Sequence, residues 1–217
     1  MNTIAEIQRT FKTKYTRKEF CIDKFGEKTI EIIGASFLAN QASIFAEPNK
    51  QYIEAELEWY KSQSTNIKDL PLEKTPKAWK ITANKKGEIN SNYGKLIFNE
   101  VYHNQFDKVK TELEENPNSR RASMIYTRPS IWEEYKEDGK NDFICTNAVT
   151  YYIRDNKIYS IVQMRSNDVV FGYKNDYAWQ YYVLKLLSHL LDYEIGDIVW
   201  QVQNLHIYEK HFKYLEN

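Results

Sequence analysis

A chain of 217 residues with 42% hydrophobic content can bury one substantial core and is short for two independent ones, so one domain over 1–217 is expected. Thirty basic residues balance thirty acidic ones, which excludes a global field drawing the protein onto a nucleic-acid backbone or an anionic membrane; any phosphate it binds must meet a local cluster. Two cysteines, no N-terminal apolar run of the secretory kind and no stretch of bilayer-spanning length point to free thiols in a reducing cytoplasm.

From the N terminus, hydrophobic periodicity predicts a helix over 3–14, with Ile4, Ile7 and Phe11 as its apolar positions, then strands over 18–23 and 28–37. A strong helix follows over 49–62, and Asp69 to Pro76, holding Pro71 and Pro76, reads as a surface loop. A second strong helix is predicted over 102–115, a strand over 120–127, and a long strand pair across 143–164 that turns at Asp155-Asn156. A helix over 176–192 and a strand over 197–209 complete the pattern, and no repeat or composition shift marks a linker. Helices mixed with long alternating strands imply an α+β architecture. Seventeen tyrosines, ten phenylalanines and five tryptophans fit a thick core or a subunit interface better than base-stacking platforms.

In the helix over 49–62, Ile53, Leu57 and Tyr60 mark the apolar face; Glu56 shares it, whereas Glu54 and Glu58 point to solvent. An inward carboxylate is either half of a core ion pair or a group whose pKa burial raises into the range of a general acid or base, and the residues alone leave both open. Cys145 lies in Phe143-Ile144-Cys145-Thr146-Asn147-Ala148-Val149, the composition of a buried strand, where cysteine is usually a small apolar filler. A reactive thiolate needs neighbouring positive charge, which Arg165 on the partner strand is able to supply. Cys21 matches nothing catalytic. Arg120-Arg121, after the turn Asn116-Pro117-Asn118-Ser119, is either solvated charge or a pair of guanidinium forks for phosphate oxygens. Asp176, ahead of Tyr177-Ala178-Trp179, reads as a helix N-cap. His206 and Tyr208 share one face of a strand, while His206 and His211 fall on opposite faces with no cluster to complete a metal site, so no metal is expected.

Five segments together resemble one family. Glu56-Leu57-Glu58-Trp59-Tyr60 is similar to Glu-Leu-x-Trp-Phe, and Asn116 to Arg121 is similar to Asp-Pro-x-Ser-Arg-Arg. Arg165-Ser166-Asn167-Asp168-Val169-Val170-Phe171-Gly172-Tyr173-Lys174-Asn175-Asp176 resembles Arg-Ser-x-Asp-x-x-Leu-Gly-x-Pro-Phe-Asn. Asn204 to Tyr208 resembles Asp-x-His-x-Tyr, and Asn90-Ser91-Asn92-Tyr93-Gly94 a Tyr-Gly turn. These are motifs of the thymidylate synthase family of pyrimidine C5-transfer enzymes, which the chain resembles from roughly Asp23 to His211, in wording nearest to the phage branch that hydroxymethylates deoxycytidylate.

The resemblance implies a thymidylate synthase-like fold, a large, mostly antiparallel or mixed sheet packed with helices, one sheet face forming a homodimer interface. It implies that Cys145 attacks C6 of the pyrimidine and that Glu56 manages proton transfers. Arg165, Ser166, Asn167 and Asp168 would hold the nucleotide, and Arg120 and Arg121 would reach its phosphate from the other subunit. Lys24 stands where the family has another phosphate-binding arginine, keeping the charge without the fork. His206 and Tyr208 would hold the deoxyribose 3′-hydroxyl. Trp79, Tyr93 and Asp168 would lie at the co-substrate, 5,10-methylenetetrahydrofolate.

Asp176 stands in place of the family asparagine whose amide reads O4 and N3–H of uracil. A carboxylate only accepts, which favours the amino group of cytosine and hence dCMP; a one-residue slip to Asn175 would restore uracil. Thr82 replaces a second family tryptophan, and Cys145 lacks the Pro before and His after it, departures that favour a water-derived 5-hydroxymethyl product. The rivals are a methylating enzyme acting on dUMP or dCMP and a catalytically silent nucleotide-binding or assembly protein. Family members extend further and fold a C-terminal segment over the cofactor, so closure here is expected to be weaker or supplied differently.

Overall fold

The computed structural model describes residues 1–24 and 26–216, in two units: Met1–Pro48 with Ile153–Asn217, and Asn49–Tyr152. Its elements are β1 (Asn2–Thr3), α1 (Ile4–Thr16), β2 (Cys21–Ile22), β3 (Lys28–Leu38), α2 (Lys50–Ser62), α3 (Lys77–Thr82), α4 (Tyr93–Phe98), α5 (Gln105–Glu115), β4 (Ser123–Ile125), α6 (Ile131–Glu134), β5 (Thr146–Arg154), β6 (Lys157–Asp168), α7 (Gly172–Leu191) and β7 (Glu194–Tyr208). Short 3-10 turns lie at Ile67–Asp69, Glu100–Tyr102, Glu137–Gly139 and Glu209–Tyr214. Strands pair both ways, parallel for β1 with β3 and for β6 with β7, antiparallel for β2 with β3, β3 with β7 and β4 with β5. This is the α+β, mixed-sheet class that the sequence implies. Among the described residues no helix is long and apolar enough to cross a membrane.

In the first unit, Thr3 and Glu6 close a capping box that starts α1, and Ile4, Ile7 and Phe11 go inward as their spacing predicts. β7 lies between β3 and β6. The parallel partners β6 and β7 need a crossover, and α7 is that crossover. It buries Trp179, Val183, Leu184 and Leu187 along one side. The chain passes into β6 through Asp155 and Asn156, both left-handed (φ 49° and 61°), the conformation a two-residue hairpin turn requires.

In the second unit, Asn49 caps α2, accepting from Tyr52 N at 3.1 Å, and left-handed Gln63 ends it. α4 meets α2 backbone to backbone at Gly94: a Cβ there would lie 1.8 Å from the Tyr60 carbonyl oxygen. Buried Asn92 secures the crossing, accepting from Lys95 N at 2.8 Å and donating to Trp59 O at 3.0 Å and Ser64 O at 2.7 Å.

Several boundaries differ from the sequence expectation, each for a local reason. α7 begins four residues before 176, so Asp176 is inside the helix and is not its N-cap. Phe171 is the N-cap residue and makes no capping bond with its own side chain; the Asp168 carboxylate holds the turn leading in, accepting from Val170 N (3.0 Å), Phe171 N (2.9 Å) and Gly172 N (3.4 Å), the last of these the first residue of the helix. Cys145 sits one residue ahead of β5, not within a strand. Tyr93-Gly94 opens α4 rather than forming a turn. α3 and α4, six residues each, are too short to leave a periodic signature.

Candidate active site

Glu56 lies on the buried side of α2, 5% exposed, with Ala55, Trp59 and Tyr60; Ile53 and Leu57 are only half-buried, so the inward face is rotated from the one expected. Glu54 and Glu58 are exposed. Four residues earlier, one turn back on the same side, the Tyr52 hydroxyl donates to Glu56 Oε1 at 2.5 Å, and Trp79 Nε1 donates to the Tyr52 oxygen at 3.0 Å. Burial pushes the Glu56 carboxyl up to about 7, against the lowering effect of hydrogen bonds from Tyr52 and Trp79. Such a carboxyl can gain or lose a proton near neutrality. Trp79 also packs edge-on against Trp59, centroids 5.0 Å apart. Tyr52 carried no catalytic expectation; its signal was the four-residue spacing from Glu56.

Cys145 is half-buried, its Sγ 3.9 Å from the Phe143 carbonyl. The loop before it is pinned by Asp142, whose buried carboxylate accepts from Asn90 N (2.6 Å), Ser91 N (2.8 Å) and Ser91 Oγ (2.7 Å). Thus the loop ahead of Cys145 and the segment leading to buried Tyr93 are tied together inside one unit. Thr82, at the end of α3, donates its hydroxyl to the Ala78 and Trp79 carbonyls (3.3 and 3.0 Å), while its own carbonyl accepts from Asn141 N at 2.8 Å. Arg120 and Arg121 are exposed in an open groove they line with Glu112, Asn116 and Ser119. Arg121 Nε donates to Glu112 Oε1 at 3.0 Å.

The first unit gathers the remaining candidates on β6, β7 and the start of α7. Arg165 and Ser166 are half-buried on β6. Asn167 is 4% exposed; its Nδ2 donates to Asp176 Oδ2 at 2.8 Å, and its Oδ1 accepts from Trp200 Nε1 at 3.2 Å. Asp176, not the adjacent Asn175, is therefore the residue joined to Asn167. His206 and Tyr208 share one face of β7 as expected, ring centroids 5.0 Å apart, and His206 is in register with Asp168 of β6. His211 is not on that strand: it is buried in the turn Glu209–Tyr214, 4.9 Å from the Phe171 ring, and burial lowers its pKa. Lys174, also buried, donates to the Glu47 carbonyl at 3.0 Å, and burial lowers its pKa. Lys24 is exposed in the turn after β2. Among the described residues no group of three or more His, Cys, Asp or Glu side chains is arranged to hold a metal.

The sequence profile of the family described as Thymidylate synthase matches residues 42–217. The deoxycytidylate 5-hydroxymethyltransferase of Enterobacteria phage T4 is 54% identical to this chain, covering 97% of it and 88% of that protein. The thymidylate synthase of Fusobacterium nucleatum is 33% identical over 72% of this chain and 56% of its own length. That of Francisella philomiragia is 29% identical over 73% of this chain and 61% of its own.

Proposed function

The chain belongs to the thymidylate synthase family, and from that membership we propose that it transfers a one-carbon unit from 5,10-methylenetetrahydrofolate to C5 of dCMP, with water completing 5-hydroxymethyl-dCMP and releasing tetrahydrofolate. One observation carries the substrate and product: the near full-length likeness to the phage deoxycytidylate 5-hydroxymethyltransferases. The buried carboxyl of Glu56 supports the chemistry.

In this reading the Cys145 thiolate adds to C6, and the ring electrons so displaced make C5 a carbon nucleophile. Bound folate supplies C5 with a carbon at the oxidation level of formaldehyde. The half-buried Trp79 indole, steadied by Trp59 and Tyr52, suits a flat pterin, with Tyr93 in the same unit. Glu56 receives and returns the protons that leave C5 and the incoming water, and the Cys145–C6 bond then breaks to restore the aromatic ring. Arg165, Ser166 and Lys24 bind the phosphate, and His206 with Tyr208 the 3′-hydroxyl. Asp176 accepts from the exocyclic amino group. Asp168 serves by holding the start of the helix that carries Asp176. The protein acts as a cytoplasmic homodimer, each subunit lending Arg120 and Arg121 to its partner's phosphate site, a role their exposure supports.

The test is tritium release from C5-labelled dCMP and dUMP in parallel, with the product weighed by mass spectrometry. Release from dCMP with a hydroxymethyl product, abolished by Cys145→Ala, is expected. Turnover of dUMP instead, or a methyl product, overturns the reading in favour of a methylating enzyme; dCMP binding with no release would mark a silent nucleotide-binding protein.

A further inference from the structure

We infer that Asn167, itself oriented by Trp200, is the positioning residue that fixes the rotamer and hydrogen-bonding polarity of the Asp176 carboxylate, and is thereby a determinant of base selectivity. This rests on the proposed reading of Asp176 as the group that meets the base.

An amide side chain can face either way, and here its direction is set by a partner with no choice. The indole nitrogen of Trp200 only donates. Its ring is fully buried and packs edge-on to Tyr173, centroids 5.2 Å apart, so the direction of that N–H is fixed by the core. Asn167 Oδ1 meets it at 3.2 Å, which turns Nδ2 toward Asp176 Oδ2 at 2.8 Å. The flipped amide would set N–H against N–H at one end and oxygen against carboxylate oxygen at the other. Both Asn167 and Trp200 are almost fully buried, where such mismatches are costly.

The backbone reserves room for this bridge. A Cβ at Gly172 would lie 3.0 Å from Asn167 Nδ2 and 3.8 Å from Asp176 Oδ2. Glycine at the first position of α7 thus lets the strand-borne amide reach the helix-borne carboxylate. The three groups come from β7, β6 and α7, so the carboxylate is held by the frame of the unit and not by a loop. With Oδ2 already accepting from Asn167, the side chain is held with its carboxylate oxygens as acceptors, and an acceptor welcomes an amino group and turns away a carbonyl.

The experiment measures kcat and KM for dCMP and dUMP on the full chain and on Trp200→Phe, Asn167→Leu and the double variant, each first checked by thermal unfolding. Asn167→Leu is expected to lower the ratio of kcat/KM for dCMP over dUMP by about tenfold or more, with KM for dCMP rising more than kcat falls. Trp200→Phe, which removes only the N–H, should lower it by a smaller factor. The double variant should be no worse than Asn167→Leu, because Trp200 acts through Asn167. Ratios unchanged within about twofold in folded variants, or losses that multiply in the double variant, overturn the inference. If Asn167→Leu does not fold, the ratio for Trp200→Phe decides alone. Wild-type protein that turns over dUMP in place of dCMP removes the reading of Asp176, and this inference with it; wild-type turnover of dCMP with flat ratios removes the inference only.

Discussion

Glu56 shows how one buried side chain couples protonation to stability. Its carboxyl is raised from the ordinary 4.5 to about 7, so between those values the folded protein keeps a proton that the unfolded chain has lost. Stability therefore falls as pH rises through that window, by roughly 3 kcal/mol in all, and stays low above it. Glu56→Gln should remove this slope, leaving the variant more stable than wild type at pH 8 and similar at pH 4 in urea titrations, while lowering kcat/KM about 10²- to 10⁴-fold. A variant that keeps the wild-type slope would assign the titration to another group. Asp176→Asn restores a donor beside the acceptor, and kcat/KM should swing toward dUMP by about two orders of magnitude relative to dCMP in parallel assays. The inward turn of Glu56 was legible in its helical spacing, as was the shared face of His206 and Tyr208. The Tyr52 hydroxyl and the Trp200 indole were not, because a hydrogen-bond relay depends on where side chains end and not on which face they leave.

The helices illustrate the same division. α1, α2, α5 and α7 were readable because each turns an apolar stripe inward over three or more turns. α3 and α4 hold their place by capping and by close backbone approach, which no hydropathy pattern records. At the crossing of α4 and α2 the demand is steric: Gly94→Ala would drive a methyl into the Tyr60 carbonyl at 1.8 Å, and a loss of about 3 kcal/mol or more is expected from chemical denaturation. The start of α7 was misjudged by four residues because the turn leading into it is held by Asp168, upstream of the helix, and not by a residue at the end of the apolar run.

For the assembled protein, the exposure of Arg120 and Arg121 leads to a mixing experiment. On the proposed dimer reading, Cys145→Ala and Arg121→Ala subunits, each expected to be inactive alone, should regain activity when exchanged, because a hybrid dimer would hold one site with both an intact thiol and an intact donated arginine. With random exchange about a quarter of the wild-type activity is the ceiling, and no recovery would place the arginine and the thiol of one site in the same subunit. The two thiols, finally, differ in reach: Cys21 is exposed on β2 while Cys145 is half-buried before β5. A limiting maleimide dye should therefore attach first at the outer strand and spare turnover, giving a handle for following the proposed subunit exchange by fluorescence energy transfer without blinding the reaction.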